Sequence, residues 1–248
     1  MTQEMVGILE SEKIRLWEIP RVDPEIIRGF EEVRDLAGVV ARALDNFGIS
    51  GTIPATSLPP LKPGSRVVGP AITVRSIPER DIPYRAWESG EPTRLGEREA
   101  FFLAQEGDVV VIDGSSVYPA SNLGSMSVAL AARLGVSGVI VDGTITGVEH
   151  IRSASIPVWS KGGTTVTGHH RLETAEINGP IGICGVRVEP GDVMIADESG
   201  VTVVPRQAAA DVLALCQKMA GAFTMVREMI AEDGDRDGAR DAGRRGGG

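Results

Sequence analysis

GDVVVIDGSSVYPASNLGSMSVALAARLGVSGVIVDGTITG, residues 107–147, decides the fold. Two apolar runs, 109–112 and 139–141, each end in Asp-Gly, and residues 126–134 between them form an alanine-rich helical pattern. Strand, helix and strand at this separation predict a parallel βαβ unit with a right-handed crossover. Loops leaving the carboxyl ends of such strands collect ligand-binding groups. The expected site therefore lies between residues 115–124 and 143–147. Asn122-Leu123-Gly124-Ser125-Met126-Ser127 opens the helix, so free backbone N–H groups near Ser125 and Ser127 suit a carboxylate or phosphate. Asn122 or Ser125 acting only as a helix cap is compatible with that role. Ser115, Ser116, Tyr118, Thr144 and Thr146 add hydroxyl groups to the same loops.

Upstream, residues 1–22 show no period and are expected as an arm on the surface or on a neighbouring subunit. Asp23-Pro24 reads as N-cap and first helical position. Ile26, Ile27, Phe30, Val33, Leu36, Ala37, Val40, Ala41 and Leu44 then predict one amphipathic helix stopped by Gly48. Residues 51–64 hold four prolines and read as a loop. VVGPAITV at 67–74 is a strand whose Pro70 marks an edge or bulge. Residues 76–96 read as an irregular excursion, and 97–105 as a short helix with Ala100, Phe101 and Ala104 inward.

Downstream, 148–153 is a helical turn, and 157–160, 171–177, 185–188, 193–196 and 201–204 are strands. A C-terminal helix over 207–232 carries Val212, Leu215, Cys216, Met219, Phe223, Val226 and Ile230 on one stripe. Residues 233–248 have no apolar side chain beyond alanine and are expected to stay disordered. This order predicts one domain over 23–232, with parallel strands in the middle and antiparallel strands behind.

The totals bound the function. A chain of 248 residues with net charge −9 lacks the clustered cations of a nucleic-acid surface. No apolar run approaches the roughly 20 residues of a membrane span, and no secretory leader opens the chain; a cytoplasmic protein is expected. Cys184 and Cys216 make neither a metal pattern nor a disulfide framework and are expected as buried small hydrophobes. Asp113 and Asp142, each before a glycine, read as turn residues. His169 and His170, taken as strand neighbours, would point to opposite faces and could not share a metal. No dinucleotide fingerprint, phosphate loop or nucleophile elbow is present.

GDVVVIDG, the glycine before the helix, and GVSGVIVDG together resemble the RraA-like family, which comprises the regulator of ribonuclease activity A and class II 4-hydroxy-4-methyl-2-oxoglutarate aldolases. VVGPAITV at 67–74, TGHHRLETAEINGPI at 167–181 and GVRVEPGDVMIADESGVTVVPR at 185–206 extend the likeness. The resemblance implies an α/β fold with a three-layer β/β/α swivelling-domain-like core and N- and C-terminal helices. It also implies a homotrimer or homohexamer with sites between subunits and a small-molecule substrate.

In the family's aldolases the second strand ends in a pattern like V-D-G-x-x-R-D. The Arg holds the pyruvyl carboxylate and the Asp anchors Mg²⁺ or Mn²⁺. This chain has Val141-Asp142-Gly143-Thr144-Ile145-Thr146-Gly147, so Thr146 replaces the Arg and Gly147 the Asp. The helix-opening W-G-D-L-L is Leu123-Gly124-Ser125-Met126-Ser127, with Ser125 in place of an acid. A hydroxyl and a glycine supply neither a guanidinium fork nor a carboxylate ligand. Losing the Lewis acid removes several kcal/mol of enolate stabilisation. No metal ligand is therefore assigned, although the family brings Mg²⁺ with it.

The expected function is a divergent lyase-type enzyme, related to aldolases and decarboxylases, that acts on a small carboxylate or polar metabolite without the standard metal mechanism. Thr146, Ser125, Lys161 and Arg152 are the catalytic candidates, the last two as counter-charges. Asn122, Gly124, Met126, Ser127, Gly143 and Thr144 are the substrate-binding candidates. The alternative is a non-catalytic regulator with a ribonuclease partner.

Overall fold

The computed structural model describes residues 7–33, 35–80, 83–114 and 119–232, with side chains described to residue 220. The expectations for Ser115, Ser116, Tyr118 and the 233–248 tail, and for the stripe residues Phe223, Val226 and Ile230, lie outside what is described. In chain order the elements are α1 (Pro24–Glu31), α2 (Leu36–Asn46), β1 (Thr52–Pro54), β2 (Val67–Pro78), α3 (Pro83–Ser89) and α4 (Glu97–Leu103). There follow β3 (Val109–Asp113), β4 (Ser121–Gly124), α5 (Ser125–Arg133), β5 (Gly138–Thr146), α6 (Val148–Arg152) and β6 (Val158–Gly163). Last come β7 (Leu172–Ile177), β8 (Ile181–Ile183), β9 (Val186–Val188), β10 (Val193–Asp197), β11 (Gly200–Val204) and α7 (Ala209–Glu232).

β3, α5 and β5 form the expected βαβ unit, with Val110 opposite Val139 and Ile112 opposite Val141 in parallel register. β3 ends at Asp113 opposite Asp142, and β4 takes up the same flank of β5, setting Ser121 opposite Thr144 and Gly124 opposite Thr146. β6 lies on the other flank of β5. β2 joins this parallel half to the antiparallel strands β10, β11 and β1, so one curled half-barrel sheet results.

Side-chain alternation along each strand decides what covers each face. Val110 and Ile112 pack outward with Phe101 of α4 and Val128 and Ala131 of α5. Val109 and Val111 point inward to Met194, Ala196 and the β8–β9 hairpin, through Ile183 and Val188. On the antiparallel half, Val193, Ile195 and Val204 meet Phe30, Val40, Leu44, Val212 and Cys216 of the terminal helices. Each fully buried Val, Leu, Ile, Phe or Met among them contributes about 1.5–3 kcal/mol. The chain is mixed α/β, with helices on the outer faces of a curled sheet. No helix among the described residues is long and apolar enough to cross a membrane.

Several sequence expectations need correction. The single helix over 23–48 is two, because Asp35 adopts φ 49° and Arg66 gathers the carbonyls of Glu31 and Val33 at the end of α1. Each half keeps its apolar stripe, so the period reads as continuous across the break. The proline-rich 51–64 stretch contains β1, and the 76–96 excursion contains the end of β2 and α3.

β2 is interior to the sheet rather than an edge. The Ala71 N–H donates to Asp192 O on the β10 side, so the donor that Pro70 lacks faces the other flank. There the β3 register starts only at Ala71. Asp142 lies within β5, not in a turn. His169 and His170 precede β7 in a turn, with His170 at φ 59°, so strand alternation does not govern them. Cys216 is buried, but Cys184 is half-buried at φ 47°.

Residues 7–22 run along the body. The Arg15 N–H donates to Ile177 O, and Arg21 pairs with the buried Asp108 at 2.6 Å.

Candidate functional site

Gly124 ends β4 and occupies the N-cap of α5 without a side-chain cap bond. The first N–H groups of α5 therefore have no capping oxygen and carry the positive end of the helix dipole. They open on a cleft of about 220 Å³ at the carboxyl ends of β4 and β5. Ser121, Leu123, Gly124, Ser125, Met126, Ser127 and Thr146 form one side of it, and Thr167, Gly168 and His169 another. Leu95 and the first turn of α4, Glu97 and Arg98, complete the wall. The volume is below the range of drug-sized pockets and suits a small metabolite.

Ser125, Thr146, Gly124, Met126 and Ser127 are thus brought together. The remaining candidates are not in the wall. Asn122 is 1% exposed and wedged between two glycines: a Cβ on Gly143 would lie 2.4 Å from Asn122 Nδ2, and one on Gly114 2.6 Å from it. Gly143 serves that packing. Thr144 Oγ1 donates to Ala120 O at 3.0 Å. Arg152 Nε donates to Leu61 O at 3.3 Å. Lys161 Nζ pairs with Asp142 at 2.5 Å, and the other Asp142 oxygen accepts the Cys184 N–H at 2.7 Å. Burial pulls the Lys161 ammonium down, but the Asp142 carboxylate outweighs it and the pKa stands above the usual value.

Glu97, Arg98 and His169 were not among the sequence candidates. The signal for Glu97 was available: 97, 100, 101 and 104 share one helical face, so a carboxyl group stands at the head of an apolar stripe. Ser127 Oγ donates to Glu97 Oε1 at 2.6 Å and accepts from Arg98 Nε at 3.2 Å. Burial raises the Glu97 carboxyl above the usual range, against the opposing pull of the Ser127 bond. Partial burial, then Arg98, then His170 lower the His169 imidazole, which favours its neutral form.

The family's metal does not fit these residues. At Gly147 the backbone is left-handed, φ 76°, and a Cβ would lie 2.8 Å from Ser125 Oγ and 2.9 Å from Ser125 Cβ. An acidic side chain therefore has no room there. Ser125 and Thr146 offer only neutral hydroxyls, and the Glu97 carboxyl is buried against Ser127. Among the described residues no three His, Cys, Asp or Glu side chains are grouped to hold a metal ion.

The family model described as RraA-like, Aldolase/RraA, matches residues 32–203. A putative 4-hydroxy-4-methyl-2-oxoglutarate aldolase of Halalkalibacterium halodurans is 31% identical over 66% of this chain and 71% of its own length. Protein DlpA of Legionella pneumophila is 31% identical over 67% of this chain, and the match spans 25% of that protein's length. Among solved structures, Streptomyces coelicolor RraAS2 is described as an unusual member of the RNase ES inhibitor RraA protein family. It superposes with a TM-score of 0.71 at 26% identity, covering 84% of this chain and 98% of its own.

Proposed function

The chain belongs to the RraA-like family, and from that premise we propose that it is a divergent lyase-type enzyme acting on a small carboxylate in the cleft at the start of α5. The observation that carries this reading is the uncapped α5 N-terminus opening into a small cleft beside the Thr146 hydroxyl. Backbone donors fixed before the reaction stabilise developing negative charge without reorganising, which is the chief requirement for breaking a bond next to a 2-oxo acid. Ser121 Oγ, 3.3 Å from Thr146 Oγ1, supports that hydroxyl from β4. No step is routed through a divalent metal.

The test is pyruvate release from oxaloacetate and from a 4-hydroxy-2-oxo diacid, each with Mg²⁺ and with EDTA. Release that survives EDTA and falls in T146A supports the reading. Release only with Mg²⁺ overturns the metal-independent part, and no turnover of either acid weighs against lyase chemistry.

A second reading, a non-catalytic regulator, is favoured by the likeness to RraAS2 along nearly the whole of that protein. Retention of a ribonuclease by the purified protein at physiological salt tests it. We further propose a homotrimer or homohexamer. Met126, 78% exposed at the cleft mouth, adjoins a shallow apolar surface of Ala129, Ala132 and Ala154. Light-scattering mass gives the stoichiometry.

A further inference from the structure

We infer that Arg98 is the carboxylate-binding residue of the cleft, held in place by Ser127 and Glu97, and that it binds small planar carboxylates without a metal. The inference rests on the cleft being the ligand site; it does not need the protein to be a lyase. Arg98 reaches the cleft from the first turn of α4, and only its Nε is engaged, by Ser127 Oγ at 3.2 Å. Among the described residues its two terminal nitrogens make no hydrogen bond. A guanidinium anchored through Nε keeps those nitrogens as a two-pronged donor, the geometry that matches a carboxylate.

The anchor is itself built. Ser127 is 2% exposed, and its hydroxyl hydrogen is committed to Glu97 Oε1 at 2.6 Å, so its lone pairs face Arg98. Glu97 sits 5% exposed and 3.9 Å from Arg98 Nε. That is too far for the close bidentate pair that would consume the fork. Glu97 and Ser127 are positioning residues. His169 also lines the cleft, and its partial burial, with Arg98 as a second influence, lowers the imidazole pKa and disfavours a competing cation there. A cleft of about 220 Å³ with one oriented guanidinium and hydroxyls from Ser125 and Thr146 selects a short acid bearing further oxygens, such as a 2-oxo or 2-hydroxy acid.

Oxalate, a planar two-carboxylate probe, tests this by titration calorimetry in EDTA on the full chain. Wild type is expected to bind with 1:1 stoichiometry per chain. R98A, on a partly exposed helix position, is expected to keep its melting temperature and lose at least tenfold in affinity. R98K should recover only part of that affinity, because an ammonium lacks the fork. S127A should weaken binding less than R98A. Oxalate binding that is equal in wild type and R98A, restored fully by R98K, or present only with Mg²⁺, overturns the inference. Turnover and binding separate the two proposals: Arg98-dependent binding without turnover removes the lyase reading alone, and turnover unaffected by R98A removes this inference alone.

Discussion

Gly147 and Ser125 are packed so closely that any side chain at 147 would collide with Ser125. Gly147 is the N-cap of α6 in a left-handed conformation, and Ser125 fills the space where its side chain would project. G147D is therefore expected to lower stability by about 1–3 kcal/mol, combining a non-glycine residue at positive φ with displacement of Ser125. S125G/G147D should regain part of that loss, since it removes the collision and leaves the backbone cost. T146R/G147D should gain no Mg²⁺-dependent pyruvate release. Chemical denaturation and a coupled pyruvate assay check both points. A fully stable G147D would show that α5 shifts freely, contrary to the packing seen here.

Glu97 gives a pH signature. Burial raises its folded pKa above the unfolded value of about 4.3. The sign follows from linkage: its favourable contribution is fully present below the unfolded pKa and is lost as pH rises through the folded one. E97Q removes the charge that burial penalises while keeping an acceptor for Ser127. Relative to wild type, E97Q should gain stability progressively as pH rises from about 4 to 8. Melting curves across that range would contradict this if the difference between the two proteins stayed constant.

The parts of the molecule legible from sequence are those whose burial leaves a direct mark on residue type. The 109–112 and 139–141 strands are buried on both faces and so read as uninterrupted apolar runs, and the 126–134 helix as an alanine-rich helical pattern between them. β4 was missed because its pattern, Ser-Asn-Leu-Gly, is mostly polar and its pairing comes entirely from β5. The α1–α2 break was hidden because Arg66, far away in sequence, collects the carbonyls at the α1 terminus. At the site, Ser125 and Thr146 were found through the loops that frame the βαβ unit. Arg98 was not, since an arginine one position off an apolar stripe looks like any solvated helix residue. Its significance depends on Ser127 arriving from a different helix. Lys161 and Arg152 were drawn in by sequence proximity, which says nothing about the direction of a side chain.

Lys161 provides a contrast to Arg98. Its ammonium is spent on Asp142, which also binds the Cys184 backbone and so ties β5 and β6 to the turn after β8. K161M should cost about 1–3 kcal/mol, by leaving a 6%-exposed carboxylate short of a donor. Oxalate affinity should change by less than about twofold, a shift of under ~0.4 kcal/mol. An affinity loss matching that of R98A, with unchanged stability, would instead make Lys161 part of the ligand site.

Arg21 fastens residues 7–22 to the sheet through Asp108, whose carboxylate also accepts the Gln105 N–H at 2.8 Å. Burial raises the Asp108 pKa and dominates the opposing influence of Arg21 and Gln105. With a folded pKa above the unfolded one, Asp108 contributes fully only below the unfolded value, and the contribution is lost as pH rises through the folded value. Removing Arg21 takes away a partner that lowers the folded pKa, so the loss must deepen with rising pH. R21A is expected to cost about 2–4 kcal/mol at pH 7.5, because it leaves a buried charge without its counter-ion. The deficit should be much smaller near pH 4, where protonation of Asp108 removes that charge. R21K should retain only part of the wild-type stability, since an ammonium keeps the neutralising charge but not the two-pronged contact that Nε and Nη2 make with Asp108. Urea denaturation of the three proteins at both pH values measures this. An R21A deficit of equal size at pH 4 and pH 7.5 would assign Arg21 a packing role and leave the ion pair without energetic weight.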